Sequence, residues 1–412
     1  MKIIIAGAGI GGLTAALCLH EAGHEVEIFE SVKEIKPLGV GINLLPHSMR
    51  ILTNLGLDDK IAESAIATSD LVYANKFGQV FWKEPRGRFA GYKWPQFSIH
   101  WGTLQMILME EVMHNIGFDS IKTQHHLQSF TEDVGGVTAT FINRETGEVQ
   151  ARVKADILIG ADGINSVVRQ LLYPKEGGVK YSGNVLYRGT TLMKPFLDGT
   201  SMVMIGSLRQ KMVVYPIQNQ LTKDGYQLVH WVGNLKETDQ EQLTTQDWNR
   251  QADKKRLLEL YKSWNFDWLD VPAMIAGAES IYEFPMSDRD PLPRWSYGRV
   301  TLLGDAAHPM YPIGSNGASE AILDADALAW AFIEEHDWQA ALMRYDAERV
   351  PATAKVVLQN RQKGPDFIMD LMEERFPQGF TPEEIPHAEL EGIMENYKRV
   401  AGFDIKTLNE KI

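Results

Sequence analysis

Lys2-Ile3-Ile4-Ile5-Ala6-Gly7-Ala8-Gly9-Ile10-Gly11-Gly12, near the start of the chain, decides how the rest is read. Residues 2–6 are a short, β-rich apolar run, which predicts a buried parallel strand. Residues 13–22 carry a helical pattern closed by Gly23, and residues 24–30 predict a second strand. A βαβ opening of this kind builds doubly wound sheets. The glycines fit G-x-G-x-x-G: Gly7 permits the tight turn, Gly9 lets backbone approach a pyrophosphate, and Gly12 lets helix pack closely on strand. The helix start then offers free N–H groups and a positive dipole end to phosphates. Glu30 ends the second strand, 23 residues after Gly7, where an acid binds ribose hydroxyls. The stretch predicts a bound dinucleotide without separating FAD from NAD.

The chain has 412 residues and is 44% hydrophobic, enough for two packed domains rather than one core. A formal net charge of −13 argues against nucleic acid, which needs a dense basic face. One cysteine, Cys18, cannot form an intramolecular disulfide, and no Cys/His cluster has metal-ligand spacing, so no metal is expected. The expected setting is reducing and cytoplasmic. The apolar start lacks the flanks of a signal peptide, and no run of about 18 uncharged apolar residues suggests a membrane span.

Further along, residues 104–114 predict a helix and 155–159 a buried strand. From about 180 to 290 the character changes: Tyr187 and residues 202–205, 212–215 and 228–232 predict strands of an antiparallel sheet. Residues 299–303 predict another buried strand, and 318–335 a long helix. The expected fold is α/β (α+β): a Rossmann-like nucleotide-binding domain with an inserted antiparallel-sheet substrate domain and a helical C-terminus. The nucleotide-binding domain is discontinuous (1–70, 100–175 and 290–365). The substrate domain takes 71–99 and 176–289, and 366–412 form a helical tail. Residues 365–386 are the weakest candidate for order, and Trp231, Trp248, Trp264 and Trp268 read as ordinary core.

Two later motifs carry chemistry. Ile157-Leu158-Ile159-Gly160-Ala161-Asp162-Gly163, followed by Ser166 and Arg169, runs a strand into an Asp-Gly turn; alone, it reads as a helix cap. Gly304-Asp305-Ala306-Ala307-His308, then Pro312, Gly314, Asn316, Gly317 and Ala318, delivers an Asp at a strand's carboxyl end, where open α/β sheets bind ligands. A second helix N-terminus follows and favours an anion such as reduced flavin. On this reading Asp305 takes a ribityl hydroxyl, and the Gly317 and Ala318 N–H groups face the flavin ring.

In this order and spacing the three motifs resemble the p-hydroxybenzoate hydroxylase-type family of FAD-dependent aromatic monooxygenases, from residue 1 to about 365. The likeness is nearest to the family's phenazine-modifying branch. It rests on residues 37–43, Ser98-Ile99-His100, Leu104-Gln105-Met106, Asp288-Arg289-Asp290-Pro291-Leu292-Pro293 and residues 301–323. The resemblance implies a single-component flavoprotein hydroxylating a small aromatic substrate, carboxylated and N-heterocyclic in that branch. NAD(P)H and O2 are consumed via a flavin C4a-hydroperoxide, and NAD(P)H visits without a domain of its own. It implies FAD contacts from Gly7, Gly9, Ile10, Gly11, Gly12, Glu30, Ser31, Gly41, Leu127, Asp162, Asp305, Gly314, Asn316, Gly317 and Ala318. Asp162 is shared with NAD(P)H. One departure stands out: Trp101 occupies a position where members usually carry an Arg that contacts the FAD phosphate–ribityl region.

Pro312 is expected beside the reacting oxygen. His308 reads as a satisfied structural histidine rather than a base. The inserted sheet offers Arg188 and Tyr215 as catalytic-site residues and Met202 and His230 as substrate contacts. Arg188 would hold a carboxylate bidentately. The expected partners are the aromatic substrate and O2, with no nucleic acid and no membrane, in a monomer or homodimer. A flavin oxidase or reductase of the same fold, or a non-catalytic flavin-binding protein, are the rival readings.

Overall fold

The computed structural model describes residues 1–37, 40–236 and 250–410; Trp248, and Leu38 and Gly39 of the family-like stretch, lie outside them. The opening strand, Lys2–Ala6, is the middle of a five-stranded parallel sheet. Its order is Val300–Leu302, Ile157–Gly160, Lys2–Ala6, Glu25–Phe29, Ile121–Lys122. Ile3, Ile4 and Ile5 are fully buried because helices and an antiparallel meander both pack on this sheet. Helices Ile10–Glu21, Trp101–Asn115 and Gly317–Glu334 pack around it in one core. An antiparallel meander, His126–Asp133, Gly136–Ile142 and Val149–Ala155, adds Leu127, Val137 and Phe141 to that core.

The second large sheet has seven strands. Its order is Ile281–Asp288, Lys180–Met193, Gln227–Lys236, Gln210–Pro216, Met202–Ser207, Asp70–Ala74, Val80–Pro85. It is mixed rather than purely antiparallel: Met202–Ser207 pairs in parallel with Asp70–Ala74, because that hairpin comes from a distant part of the chain. Side chains alternate across it. One face carries Val203, Val214, Trp231 and Ile205, packed against Tyr261, Trp264 and Met274. Trp231 and Trp264 are buried and Trp268 half-buried, as core residues.

The other face of this sheet explains the C-terminus. Residues 365–386, where least order was expected, begin with helix Phe367–Arg375, whose Ile368, Met369 and Met372 are buried. Together with Leu390 and Met394 of helix His387–Val400, they pack on Leu71, Tyr73, Met202, Met204 and Tyr215. The apolar stripe at helical spacing buries only because an uncovered sheet face is there to receive it. A buried Lys211–Asp366 ion pair fastens the joint. The helical segment thus forms a third wall on this sheet.

Candidate active site

At the glycine turn, Gly7 has φ +111° and a Cβ there would stand 2.3 Å from the Ala161 carbonyl oxygen. A Cβ on Gly12 would stand 2.1 Å from the Gly7 carbonyl oxygen. Both glycines are needed for backbone to cross backbone. In front of Gly9 nothing lies within 4 Å, and the helix begun by the buried Ile10 has no side-chain cap, so its first N–H groups face open space. Gly11 faces the other way, against Leu303 and Ala321. Glu30 accepts from the Ala8 N–H at 2.8 Å and from the Ser31 hydroxyl and Val32 N–H, both at 3.0 Å. That organises its carboxylate beside the turn. Gln105, part of a family-like stretch but given no role by the sequence, donates to the Ala8 carbonyl at 2.8 Å and ties the turn to helix Trp101–Asn115. Half-buried Trp101 starts that helix, its backbone N–H donating to the Val40 carbonyl at 2.8 Å. Leu127 is 3% exposed and packed in the core.

Asp162 does cap a helix: one carboxylate oxygen accepts from the Val167 N–H at 2.7 Å. Its other oxygen, Oδ1, is buried without a partner. Burial pushes this carboxyl up, against the Ser166 and backbone donors that lower it. Asp305 is exposed at its turn, yet the protein around it pushes its carboxyl up, with His308 opposing and Asp324 reinforcing. The two motifs are tied together by Arg169, only 1% exposed. It donates to the carbonyls of Ala307 at 2.7 Å and Ala306 at 3.1 Å and pairs with Glu176 at 2.6 Å.

His308 does not face a reacting group. Its Nε2 lies 2.5 Å from Asp324 Oδ2; Asp324 also takes Arg349 at 2.7 Å and the Gly304 N–H at 3.0 Å. Burial alone would depress the imidazolium, but the Asp324 carboxylate overrides it and the net shift is upward.

The loop between Tyr311 and Gly317 is shaped by Gly314 (φ +72°) and Ser315 (φ +58°). A Cβ on Gly314 would stand 1.9 Å from the Tyr397 hydroxyl. Asn316 donates to that hydroxyl at 2.5 Å, and the hydroxyl donates to Asn360 at 3.0 Å. Tyr397 was invisible in the sequence: it lies on the C-terminal helix, 81 residues from Asn316. Pro312 is exposed, and no atom lies within 4 Å of where a Gly317 Cβ would sit, so this loop and the following helix start, Gly317 and Ala318, are open to a ligand.

Tyr311 and Ile313 pack on Leu186, Met286 and Phe284 of the seven-stranded sheet. That places the loop over the face carrying Arg188. Register puts Thr190, His230 and Tyr215 side by side, with Arg188 two residues from Thr190 and Met204 beside Val213. By alternation Arg188, His230, Tyr215 and Met202 share one face. Arg188 and Met202 are three strands apart on it, roughly 14 Å. Gly41 is held by this face: a Cβ there would stand 2.7 Å from Tyr215 and 2.8 Å from His230. His230 Nδ1 lies 3.0 Å from the Gly189 carbonyl; burial, then the Arg188 charge, push the imidazolium down to about 3, so it is neutral and Nδ1 donates. Arg188 is half-buried, its Nε has no partner, and its guanidinium lies 5.1 Å from the Phe284 ring centre.

These features fit FAD. Open space before Gly9 and Gly317 leaves room for pyrophosphate and ring, Glu30 and Asp305 offer acceptors to sugar hydroxyls, and Asp162 keeps a buried, unpartnered oxygen. A glycine turn on one sheet opposed to a mixed polar and apolar face on another defines the class: a flavoprotein with an α/β nucleotide-binding region and a sheet-based substrate region. The chain belongs to the FAD-binding domain family, whose profile matches residues 1–360.

The chain is 42% identical to the phenazine 1,6-dicarboxylic acid hydroxylase of Lysobacter antibioticus, over 88% of this chain and 89% of that one. It is 30% identical to the 6-hydroxynicotinate 3-monooxygenase of Pseudomonas fluorescens, over 86% and 89%. Klebsiella pneumoniae HpxO, solved with FAD and uric acid, superposes with a TM-score of 0.76 at 23% identity, over 96% of each chain, and shares the fold. The protein is an FAD-dependent aromatic monooxygenase that uses NAD(P)H and O2. Among the described residues no helix is long and apolar enough to cross a membrane, and no His/Cys/Asp/Glu group could hold a metal.

Proposed function

We propose that the substrate is a fused, carboxylated N-heteroaromatic of the phenazine type, and that Arg188 meets an acidic group on it. The observation that carries the reading is Arg188 itself. It is a half-buried cation beneath the Tyr311–Gly317 loop, with an unpartnered Nε and no ion pair among the described residues. Burial, eased by Tyr215, disfavours its charge, a cost that an incoming carboxylate offsets. In a chain of net charge −13, such a local cation is what recruits an anion. The relative named for phenazine 1,6-dicarboxylic acid supplies the ring class.

Bound FAD supplies reduction by NAD(P)H and transfer of one oxygen atom. The chain supplies position and dryness: Pro312 edges the ring, neutral His230 and Tyr215 wall it, and the sheet excludes water. Glu30, Asp162 and Asp305 hold the cofactor, with the glycine turn and the Gly317 helix start. The division into a discontinuous nucleotide-binding domain and an inserted substrate domain follows the two sheets, whose larger one draws its strands from residues 70–85 and 180–288. We place the enzyme in the cytoplasm, as a monomer or homodimer.

The test is substrate-stimulated NADH or NADPH oxidation with labelled O2 and mass spectrometry of the product. Label in a hydroxylated phenazine supports the reading. Reduction of the substrate without label would make the protein a reductase, and absence of any NAD(P)H oxidation a flavin-binding protein only.

A further inference from the structure

The edge strand Ile281–Asp288 runs beside Arg188. Register sets Arg188 opposite Tyr282 and Leu186 opposite Phe284. Phe284 is therefore the diagonal neighbour of Arg188 on the same face, ~7–8 Å away by strand geometry and within reach of a long side chain. The Arg188 guanidinium makes that reach and lies over the Phe284 ring, 5.1 Å from its centre. Glu283, next to Phe284 in the chain, falls on the opposite face by alternation. It is paired with Arg250 at 2.5 Å, so it does not draw the guanidinium away.

A contact through the ring face uses none of the N–H donors. A guanidinium carries five of them in its plane, and the ring offers only its negative face to the charge. Phe284 thus holds the cation without consuming the groups an anion needs, and the Arg188 Nε stays unpartnered. A protein carboxylate in the same place would also fix the cation, but would neutralise it. The ring is held in turn. Half-buried, it packs against Leu186, Met286, Tyr311 and Ile313. Tyr311 accepts at its carbonyl from Asn360 Nδ2 at 3.2 Å, and it opens the loop that ends at Gly317. With Phe284 on the side of the edge strand, the side left for an anion is that of Val232 and His230.

We propose that Phe284 is a positioning residue for the substrate. Its ring fixes the Arg188 guanidinium so that a carboxylate is received on the side of His230 and Tyr215, beneath the cofactor loop. The proposal rests on the reading of Arg188 as the anion anchor and deepens it.

The experiment uses the FAD-loaded enzyme, with phenazine 1,6-dicarboxylic acid and its uncharged dimethyl ester as probes. Binding is followed by the change in flavin absorbance. Phe284→Leu should raise Kd for the diacid roughly three- to thirtyfold, the range for a cation over an aromatic face as it leaves water, and should leave Kd for the ester unchanged. Phe284→Tyr keeps the ring and should keep the affinity. Pentafluorophenylalanine at position 284 keeps the shape but reverses the charge of the ring face. It should weaken diacid binding as leucine does while Tm and FAD content hold, and it decides the matter if Phe284→Leu fails to fold. In an Arg188→Ala background, Phe284→Leu should add no further loss. Equal loss of diacid and ester binding, or unchanged diacid affinity in the fluorinated protein, overturns the inference and leaves Arg188 as the anchor. If Arg188→Ala itself leaves diacid affinity unchanged, the reading beneath the inference falls as well.

Discussion

Asn316 and Tyr397 meet at 2.5 Å across the boundary between the cofactor loop and the C-terminal helix. The side-chain amide donates to the phenol, and the phenol O–H donates in turn to the Asn360 side-chain oxygen at 3.0 Å. The loop that should edge the flavin is therefore held in shape by a residue near the end of the chain.

Tyr397→Phe keeps the packing and removes both hydrogen bonds, leaving buried polar groups unsatisfied. Stability should fall by ~1–3 kcal/mol. NAD(P)H oxidation should continue while a larger share of electrons leaves as H2O2. Peroxide release measured against hydroxylated product checks this; full coupling would mean that the loop holds its shape without Tyr397.

Glu30→Ala should weaken FAD binding by ~1.5–3 kcal/mol, the range for a charge-assisted hydrogen bond. The substitution also strips the Ala8 N–H of its acceptor. Titrating the apoprotein with FAD measures it, and unchanged affinity would remove Glu30 from the ribose site. FAD should also be freed by heat denaturation, since no covalent link is expected.

Gly317→Val should leave the fold intact, because nothing lies within 4 Å of the added Cβ. It should still impair flavin reduction and hydroxylation, since the branched side chain would enter the space before the helix N-terminus. Normal turnover with a normal Tm would take this helix start out of the active site.

Arg188→Ala should raise KM for the acidic substrate by a factor equivalent to ~2–5 kcal/mol and uncouple NAD(P)H oxidation, with FAD content normal. Steady-state kinetics with parallel peroxide assay tests it. Retained affinity and coupling would place the anchor elsewhere on the sheet.

The His308–Asp324 pair predicts the pH profile of stability. His308 is raised in the folded state, so its contribution is complete below the unfolded histidine value of about 6.5 and is lost as pH rises through the folded value. Asp324 is lowered overall: burial raises it, and His308 and Arg349 more than compensate. Its contribution is present above the unfolded value and lost only in stronger acid. Asp324→Asn breaks a buried cluster and should cost ~3–5 kcal/mol. His308→Gln should flatten the alkaline fall in Tm; a profile identical to that of the unaltered protein would mean that His308 does not carry the charge.

The amino-acid sequence alone determined the parallel sheet, the glycine turn, the position of Glu30 at the end of the second strand, and the two later loops. Each is written in local chemistry: apolar runs, glycines where backbone crosses backbone, an acid at a strand end. The sequence also picked Arg188, Met202, Tyr215 and His230 from the inserted sheet, but that they share one face came from the strand register. Only the tertiary structure decided what covers that face. The Asp70–Ala74 strand beside Met202–Ser207, the helices bearing Met369 and Met394, and the Tyr397 phenol beneath Asn316 join segments more than 80 residues apart. Periodicity tells a side chain to be buried but does not name its partner. Gly41, expected as a cofactor contact, lies against Tyr215 and His230, neighbours the sequence did not name. Tyr73 came to line a cavity with Met202 and Met204 because the Asp70–Ala74 strand pairs with Met202–Ser207, a partner more than 120 residues away that local pattern does not name.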